Sequence, residues 1–331
     1  MKILLAAANA ASFITRDARI LRERHEVVEY VLPRALWPSA ASRRLVDDCD
    51  LLFVWFATVR AWPLVVRARR QGKPIVLVIG GYEVVHRPDL NYGTARRLLH
   101  RQATQSVLNR ATRVLTVSKS SHHDLLANFQ VDPARTKVIP HGFEDLAEGI
   151  ARPKSPSVLT VGYGREDTWR IKGLEEFFAT AAQMPDVSFV HVGGIAPAVL
   201  QSKVGTLPPN VKLVGAVPYA DIGSYYAPAQ VYLQMSRHES FGCAVAESML
   251  FECVPVVSRG GALPEVVGDA GIIVESWATA DVVAAIRGAL ALPSSAGVKA
   301  RQRVLTEFSY ARRRDRLLAV IDEAVAVRHI S

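Results

Sequence analysis

The sequence predicts an α/β protein made of two doubly wound parallel-sheet domains, and three observations carry that expectation. Short apolar runs of strand length alternate with longer helical patterns along almost the whole chain. The alternation lapses at residues 144–157, EDLAEGIARPKSPS, whose Gly, Pro and Ser content marks a linker, and then it restarts. Finally, 331 residues with 50% apolar content are enough to bury two cores.

In the first domain, strands are expected at 3–7, 26–31, 51–56, 75–79, 113–117 and 137–139, with helices such as 59–71 and 95–109 between them. These strands are apolar throughout rather than alternating, as strands covered on both faces by crossover helices must be. After the linker come strands at 157–161, 188–192, 211–214, 231–235 and 254–257, with a helix at 174–182. The domains are therefore drawn as 1–148 and 149–312, with a final helix over about 313–331 running back to the first. The opening MKILLAAANAAS imitates an export signal, but its apolar core, 3–8, is short for one and reads as the first strand. No window of about eighteen apolar residues is present to span a bilayer.

Charge is divided unevenly. Residues 1–155 carry 24 Lys and Arg against 14 Asp and Glu, while the rest carry 16 against 17. The whole excess of +9 sits in the first half of the chain, which suggests an anionic partner for the first domain, either a lipid surface or a phosphate-bearing acceptor. Arg16, Arg19, Arg22 and Arg24 lie on one short helix, and Arg67, Arg69 and Arg70 end another. Nucleic acid is the weaker partner, because no reader motif or stacking aromatics accompany the charge. Cys49, Cys243 and Cys253 form no CxxC, so neither a disulfide framework nor a zinc site is implied, and a reducing, cytoplasmic setting fits. Tandem His122 and His123, at a helix start, read as surface residues rather than metal ligands.

Ligands of open parallel sheets bind beyond the carboxyl ends of the strands, so the informative motifs follow strands. HESFGCAVAESML, 238–250, follows the strand at 231–235 and sets Glu239 in a turn and Glu247 in the next helix. Gly242 lets backbone approach a ligand, and the helix start offers N–H groups to an anion. Two fixed carboxylates accept hydrogen bonds, which suits the vicinal hydroxyls of a sugar and a ribose.

The spacing of Glu239 and Glu247 resembles the E-x7-E pattern of retaining glycosyltransferases of family 4, which have the GT-B fold. Four further segments share the resemblance: VLTVSKSSHHDLL, TKVIPHGFE (136–144), VGYGREDTWRIKGLEEFFATA and GGALPEVVGDAGIIV (260–274). In order, the match runs through most of residues 75–280. It implies two domains facing across a cleft, a nucleotide-sugar donor on the second and a glycan or lipid-linked acceptor on the first. Glu239 would contact the transferred sugar and Glu247 the ribose hydroxyls. Backbone at Phe241, Gly242 and Cys243 would meet sugar and diphosphate, and Gly215 to Val217 would lie near the base.

The family's chemistry uses a basic pair on the diphosphate, without a metal or cofactor, because charge grows on the leaving oxygen. Lys172 matches the family lysine; Arg165 and Arg170 are both candidates for its partner. Retention is described as front-face substitution in which the departing phosphate helps take the acceptor's proton, so Glu239 need not be a nucleophile. In the first domain Gly81 stands where relatives carry a histidine, which leaves Glu83 and, less directly, His86 as side chains for the acceptor side, with a turn-closing acid as the other reading of Glu83. A nucleotide-sugar epimerase or phosphorylase on the same fold, or a binding protein without turnover, are the competing functions.

Overall fold

A computed structural model describes residues 1–33, 39–151 and 153–328. Two compact units emerge, Met1–Gly142 together with the chain from Tyr310 on, and Phe143–Ser309. The boundary thus falls after Gly142, ahead of the 148/149 division drawn from sequence. The reason is local: Phe143 N–H donates to the carbonyl of Phe308 at 2.8 Å, and its ring stacks on Phe241, so the second unit begins there.

The first unit runs β1 (Lys2–Ala7), α1 (Ser12–Arg22), β2 (Glu26–Val31), α2 (Ala40–Asp48), β3 (Leu51–Trp55), α3 (Trp62–Arg70), β4 (Ile75–Ile79), α4 (Leu98–Arg110), β5 (Arg113–Thr116), α5 (Lys119–Asn128) and β6 (Thr136–Val138). Its sheet has the order β2-β1-β3-β4-β5-β6, and every pairing is parallel. All residues of β3 and β4 are buried, whereas the edge strand β2 alternates between half-buried and exposed positions. Local signals set the helix starts. Pro63 sits in the first turn of α3, and α5 opens with a capping box in which Ser118 Oγ accepts from Ser121 N–H at 2.9 Å and Ser121 Oγ from Ser118 N–H at 3.1 Å.

The second unit continues with β7 (Ser155–Val161), α6 (Leu174–Gln183), β8 (Ser188–Val192), α7 (Pro197–Lys203), β9 (Val211–Gly215), α8 (Gly223–Tyr226), β10 (Ala229–Gln234), α9 (Cys243–Leu250), β11 (Val254–Ser258), α10 (Leu263–Val267), β12 (Ile272–Val274), α11 (Thr279–Leu290) and α12 (Ser295–Glu307). Its order is β12-β11-β10-β7-β8-β9, again all parallel. Strand order reverses between β7 and β10, so the crevice at their carboxyl ends is the expected binding place of this sheet. The corresponding reversal in the first sheet lies between β1 and β3. Each unit has its own core, with Val54, Leu77 and Val107 among the buried residues of the first and Phe177, Phe189 and Val256 among those of the second.

The last helix, α13 (Tyr310–Arg328), packs in the first unit against α1. Arg313, 3% exposed, donates from Nε and Nη2 to the two carboxylate oxygens of Asp17 at 2.6 and 2.7 Å, and from Nη1 to the carbonyls of Ile139 and Pro140. Trp55 Nε1 also donates to Asp17. A buried ion pair is tolerable when its remaining donors and acceptors are met in this way.

The structure also partners much of the basic face read from the sequence. Arg16 donates to the carbonyl of Gly142, and Arg22 pairs with Glu29; Arg24, expected on the same helix, lies beyond its end at Arg22 and pairs with Asp322, and Arg67 grips Asp47 through two bonds. The acids involved come from other elements, so the local charge run overstates the bare charge.

Replacing Arg313 with Met strands the Asp17 carboxylate in the core, and the first unit is expected to lose about 3–5 kcal/mol in urea denaturation. A second expectation concerns His191 on β8, which is fully buried beside the rings of Phe177 and Phe178, and whose pKa burial lowers to about 4. The unfolded imidazole, near 6.5, takes a proton that the folded one refuses, so its stabilising contribution is present above that pH and is lost as pH falls toward 4. Denaturation midpoints should fall across that window, by up to about 3 kcal/mol, and His191→Leu should flatten the fall.

Candidate active site

The crevice between β7 and β10 is built by the segments that follow those strands. From β7 the chain passes through a turn to Lys172 and into α6; from β10 it passes through Ser236 and Glu239 into α9. Lys172 Nζ donates to Glu239 Oε1 at 2.7 Å. The same oxygen accepts from Ser236 Oγ at 3.1 Å and Gln234 Nε2 at 3.4 Å, while Gln234 Nε2 donates to Ser236 Oγ and Tyr232 OH to Gln234 Oε1. Oε2 of Glu239 has no hydrogen-bond partner among the described residues, and the side chain is 15% exposed.

Close backbone approach fixes this geometry. A Cβ on Gly173, at the start of α6, would lie 2.3 Å from the carbonyl of Met235, and one on Gly261 would lie 2.2 Å from the carbonyl oxygen of Glu239. Glu239 is held on both sides, its N–H on the carbonyl of Gly260 and its carbonyl on the N–H of Ala262. Arg237 N–H donates to the carbonyl of Ile171, its guanidinium pairs with the buried Glu176, and it lies 4.5 Å from the Trp277 ring centroid. Gln234, Ser236 and Arg237 were not singled out from sequence as parts of the site, and Gly260-Gly261 only as the start of the segment 260–274. The one local signal was that double glycine, one residue removed from the end of β11.

Glu247, on α9 and 5% exposed, accepts from Tyr219 OH on Oε1 at 2.8 Å and from Tyr226 OH on Oε2 at 3.5 Å. Tyr219 follows β9 and is 46% exposed, whereas Tyr226 is fully buried. Gly242 caps α9 with a φ of 99°, and Cys243 opens it half-buried. The Phe241 side chain is buried, with its ring against those of Phe143 and Phe308. Gly215 ends β9 and Val217 follows it, half-buried.

The two candidate arginines differ. Arg165 is exposed and forked onto Asp167, at 2.7 Å for the shorter bond, and lines an open depression of about 650 Å³ with Tyr163, Gly194 and Ile195. Arg170 is exposed, with no side-chain partner among the described residues.

In the first unit, Glu83 is 3% exposed and accepts from Gly80 N–H at 2.9 Å and Gly81 N–H at 3.0 Å. Burial raises its pKa, and the backbone donors oppose that rise. This is the arrangement of a turn-closing acid. His86 is exposed, and His122 Nδ1 lies 3.5 Å from Thr116 Oγ1. No group of three or more His, Cys, Asp or Glu able to hold a metal occurs among the described residues.

Comparison with known proteins gives two family matches in chain order: Glycosyltransferase Family 4 over residues 6–145 and Glycosyl transferases group 1 over residues 155–291. Among curated relatives, one component of the phosphatidylinositol N-acetylglucosaminyltransferase of Arabidopsis thaliana is 25% identical over 224 residues, 64% of this chain and 49% of that protein. The MMP alpha-(1->4)-mannosyltransferase of Mycolicibacterium hassiacum is 27% identical over 236 residues, 64% of this chain and 54% of its own. The chain thus spans about half the length of these relatives. Among solved structures, Anabaena HepE in complex with UDP and glucose superposes with a TM-score of 0.73 at 16% identity, covering 97% of this chain and 99% of that one. Sucrose-phosphate synthase from Thermosynechococcus elongatus gives 0.77 at 16% identity, covering 99% and 100%. By these matches and its two doubly wound sheets, the chain belongs to glycosyltransferase family 4, within the glycosyl transferases of group 1, and has the GT-B fold.

Proposed function

We propose that the chain transfers a hexosyl group from a nucleotide-diphosphate sugar to a hydroxyl acceptor, with retention of configuration and without a metal. The observation that carries this reading is Glu239, whose Oε1 is held by three donors while Oε2 is left for a ligand. A carboxylate fixed in this way at the strand-order reversal is suited to accept a sugar hydroxyl. Lys172, now paired with it, is within reach of a diphosphate bound at the start of α9, where backbone N–H groups favour an anion. The Glu247 carboxylate, which now accepts from two tyrosine hydroxyls, would accept from a ribose diol, and the backbone from Gly215 to Val217 would meet the base. Of the arginines, Arg170 is assigned as the partner of Lys172, since Arg165 is engaged by Asp167.

In the step itself the bond from the anomeric carbon to phosphate breaks as the acceptor oxygen bonds to the same face of that carbon. The acceptor's proton passes to a departing phosphate oxygen. Lys172 and Arg170 act on the charge that grows there, which lowers the barrier more than it tightens ground-state binding. The named activities of the relatives, transfer of N-acetylglucosamine and of mannose, support sugar transfer, and the UDP complex of HepE supports a UDP-sugar donor. The acceptor is assigned as a glycan or a lipid-linked sugar.

Thermal melting with a panel of nucleotide diphosphates and nucleotide sugars tests the donor site. One nucleotide should stabilise the wild type by mass action, and Glu247→Ala should abolish the shift. In turnover with a matched acceptor, Lys172→Ala should lower kcat about 10²–10³-fold with little change in KM for the donor, and chelator should leave the rate unchanged. If no nucleotide stabilises the wild type, the donor reading fails.

A further inference from the structure

Two adjacent leucines are the most exposed apolar side chains of the first unit. Leu98 and Leu99, which open α4, are 69% and 77% exposed, the highest values of any large apolar side chain among the described residues. At 3.6 residues per turn Leu98 lies about 180° from Val107, and Leu99 about 180° from Leu108, the residues through which α4 is buried. Ser106 lies roughly 20° around the helix from Leu99, two turns on. Its Oγ accepts a 2.9 Å bond from Trp62 Nε1, whose residue is 40% exposed on α3. Leu98, Leu99 and Trp62 thus share the outer side of α4.

Along the chain, the charge beside this strip is of one sign between Asp89 and Asp124. Residues 90–123 contain no Asp or Glu, but carry Arg96, Arg97, Arg101, Arg110, Arg113 and Lys119. Arg97 and Arg101, which flank the leucines, are exposed and have no ion-pair partner among the described residues; Arg101 donates only to the carbonyl of Asn128. In this they differ from Arg22, Arg24 and Arg67, each paired with an acid.

Apolar tips standing among unpaired cations match a surface that is anionic outside and apolar beneath. A nucleic acid would satisfy the arginines but leave the leucines in water. We propose that the start of α4 docks the first unit on an anionic lipid bilayer, with Leu98, Leu99 and Trp62 entering the headgroup layer and Arg97 and Arg101 on lipid phosphates. Docking is peripheral in this scheme, and no single described helix is long and apolar enough to cross a membrane. The α4 start follows the segment leaving β4, and Thr94 N–H donates to the carbonyl of Tyr82, so the docked edge is the carboxyl edge of the sheet. An acceptor carried by lipid would arrive at that edge.

Flotation of the full chain with vesicles tests this, using phosphatidylcholine alone and phosphatidylcholine mixed with phosphatidylglycerol, at low and high salt. Binding is expected on the mixed vesicles, weaker on phosphatidylcholine and weaker in salt. Leu98→Ser with Leu99→Ser should weaken it at least about thirty-fold. Arg97→Gln with Arg101→Gln should cost about five-fold for each cation removed. Both double variants should melt close to the wild type, since the four side chains are exposed and the bond from Arg101 to the carbonyl of Asn128 lies at the surface. The proposal is overturned if the leucine variant floats as well as the wild type, if lipid charge makes no difference, or if the wild type does not float. Duplex or single-stranded RNA that binds in the absence of flotation, and loses affinity in the arginine variant, overturns it in favour of another partner. Flotation requires no donor, so its result is independent of the transfer assay.

Discussion

At the carboxyl end of β10 two turns of backbone come so close that a single methyl group would part them, and the candidate site depends on that closeness. Gly173 lies against Met235 from one side, and Gly260 and Gly261 lie against Ser236 and Glu239 from the other. The Glu239 peptide groups are bonded in both directions across this seam. The carboxylate is therefore fixed through its main chain before any side-chain partner acts on it. Three donors on one oxygen then set its rotation. Preorganisation of this kind lets a site present an acceptor to a ligand without first paying to order it.

Most of the fold was legible in the sequence because its strands are buried on both faces. LLFVW and IVLVI have no polar side to confuse with a surface strand, and they appear where expected as β3 and β4. Boundaries were less legible. The third helix starts at Trp62 rather than 59, next to Pro63, and β12 is only three residues long, too short to give a periodic signal. The linker expected over 144–157 ends inside β7, where Ser155 already pairs with Ala229.

The site was legible as residue types but not as geometry. Glu239, Lys172 and Glu247 were readable from order and spacing, yet nothing in the sequence placed Lys172 on Glu239 rather than on solvent. Glu83 was readable as an acid after a double glycine, while its turn back onto Gly80 and Gly81 depends on local backbone geometry that the residue types do not specify. Arg22, at the end of α1, and Arg24, just beyond it, illustrate the same limit in reverse. Their acids lie on β2 and α13, outside the helix itself, so a local charge run implied more open cationic surface than the fold leaves.

The return of α13 to the first unit has a consequence for how the molecule is made. Asp17 is separated from Arg313 by 296 positions. The residues of the second unit, Phe143–Ser309, are all synthesised between them. On the ribosome, the sheet from β1 to β6 emerges first but waits for its closing helix, with the Asp17 carboxylate and the carbonyls of Ile139 and Pro140 lacking their guanidinium. The second unit, contiguous in the chain, can complete its own core during that wait. The domain begun first is thus the one whose last helix is made last, after every residue of its neighbour.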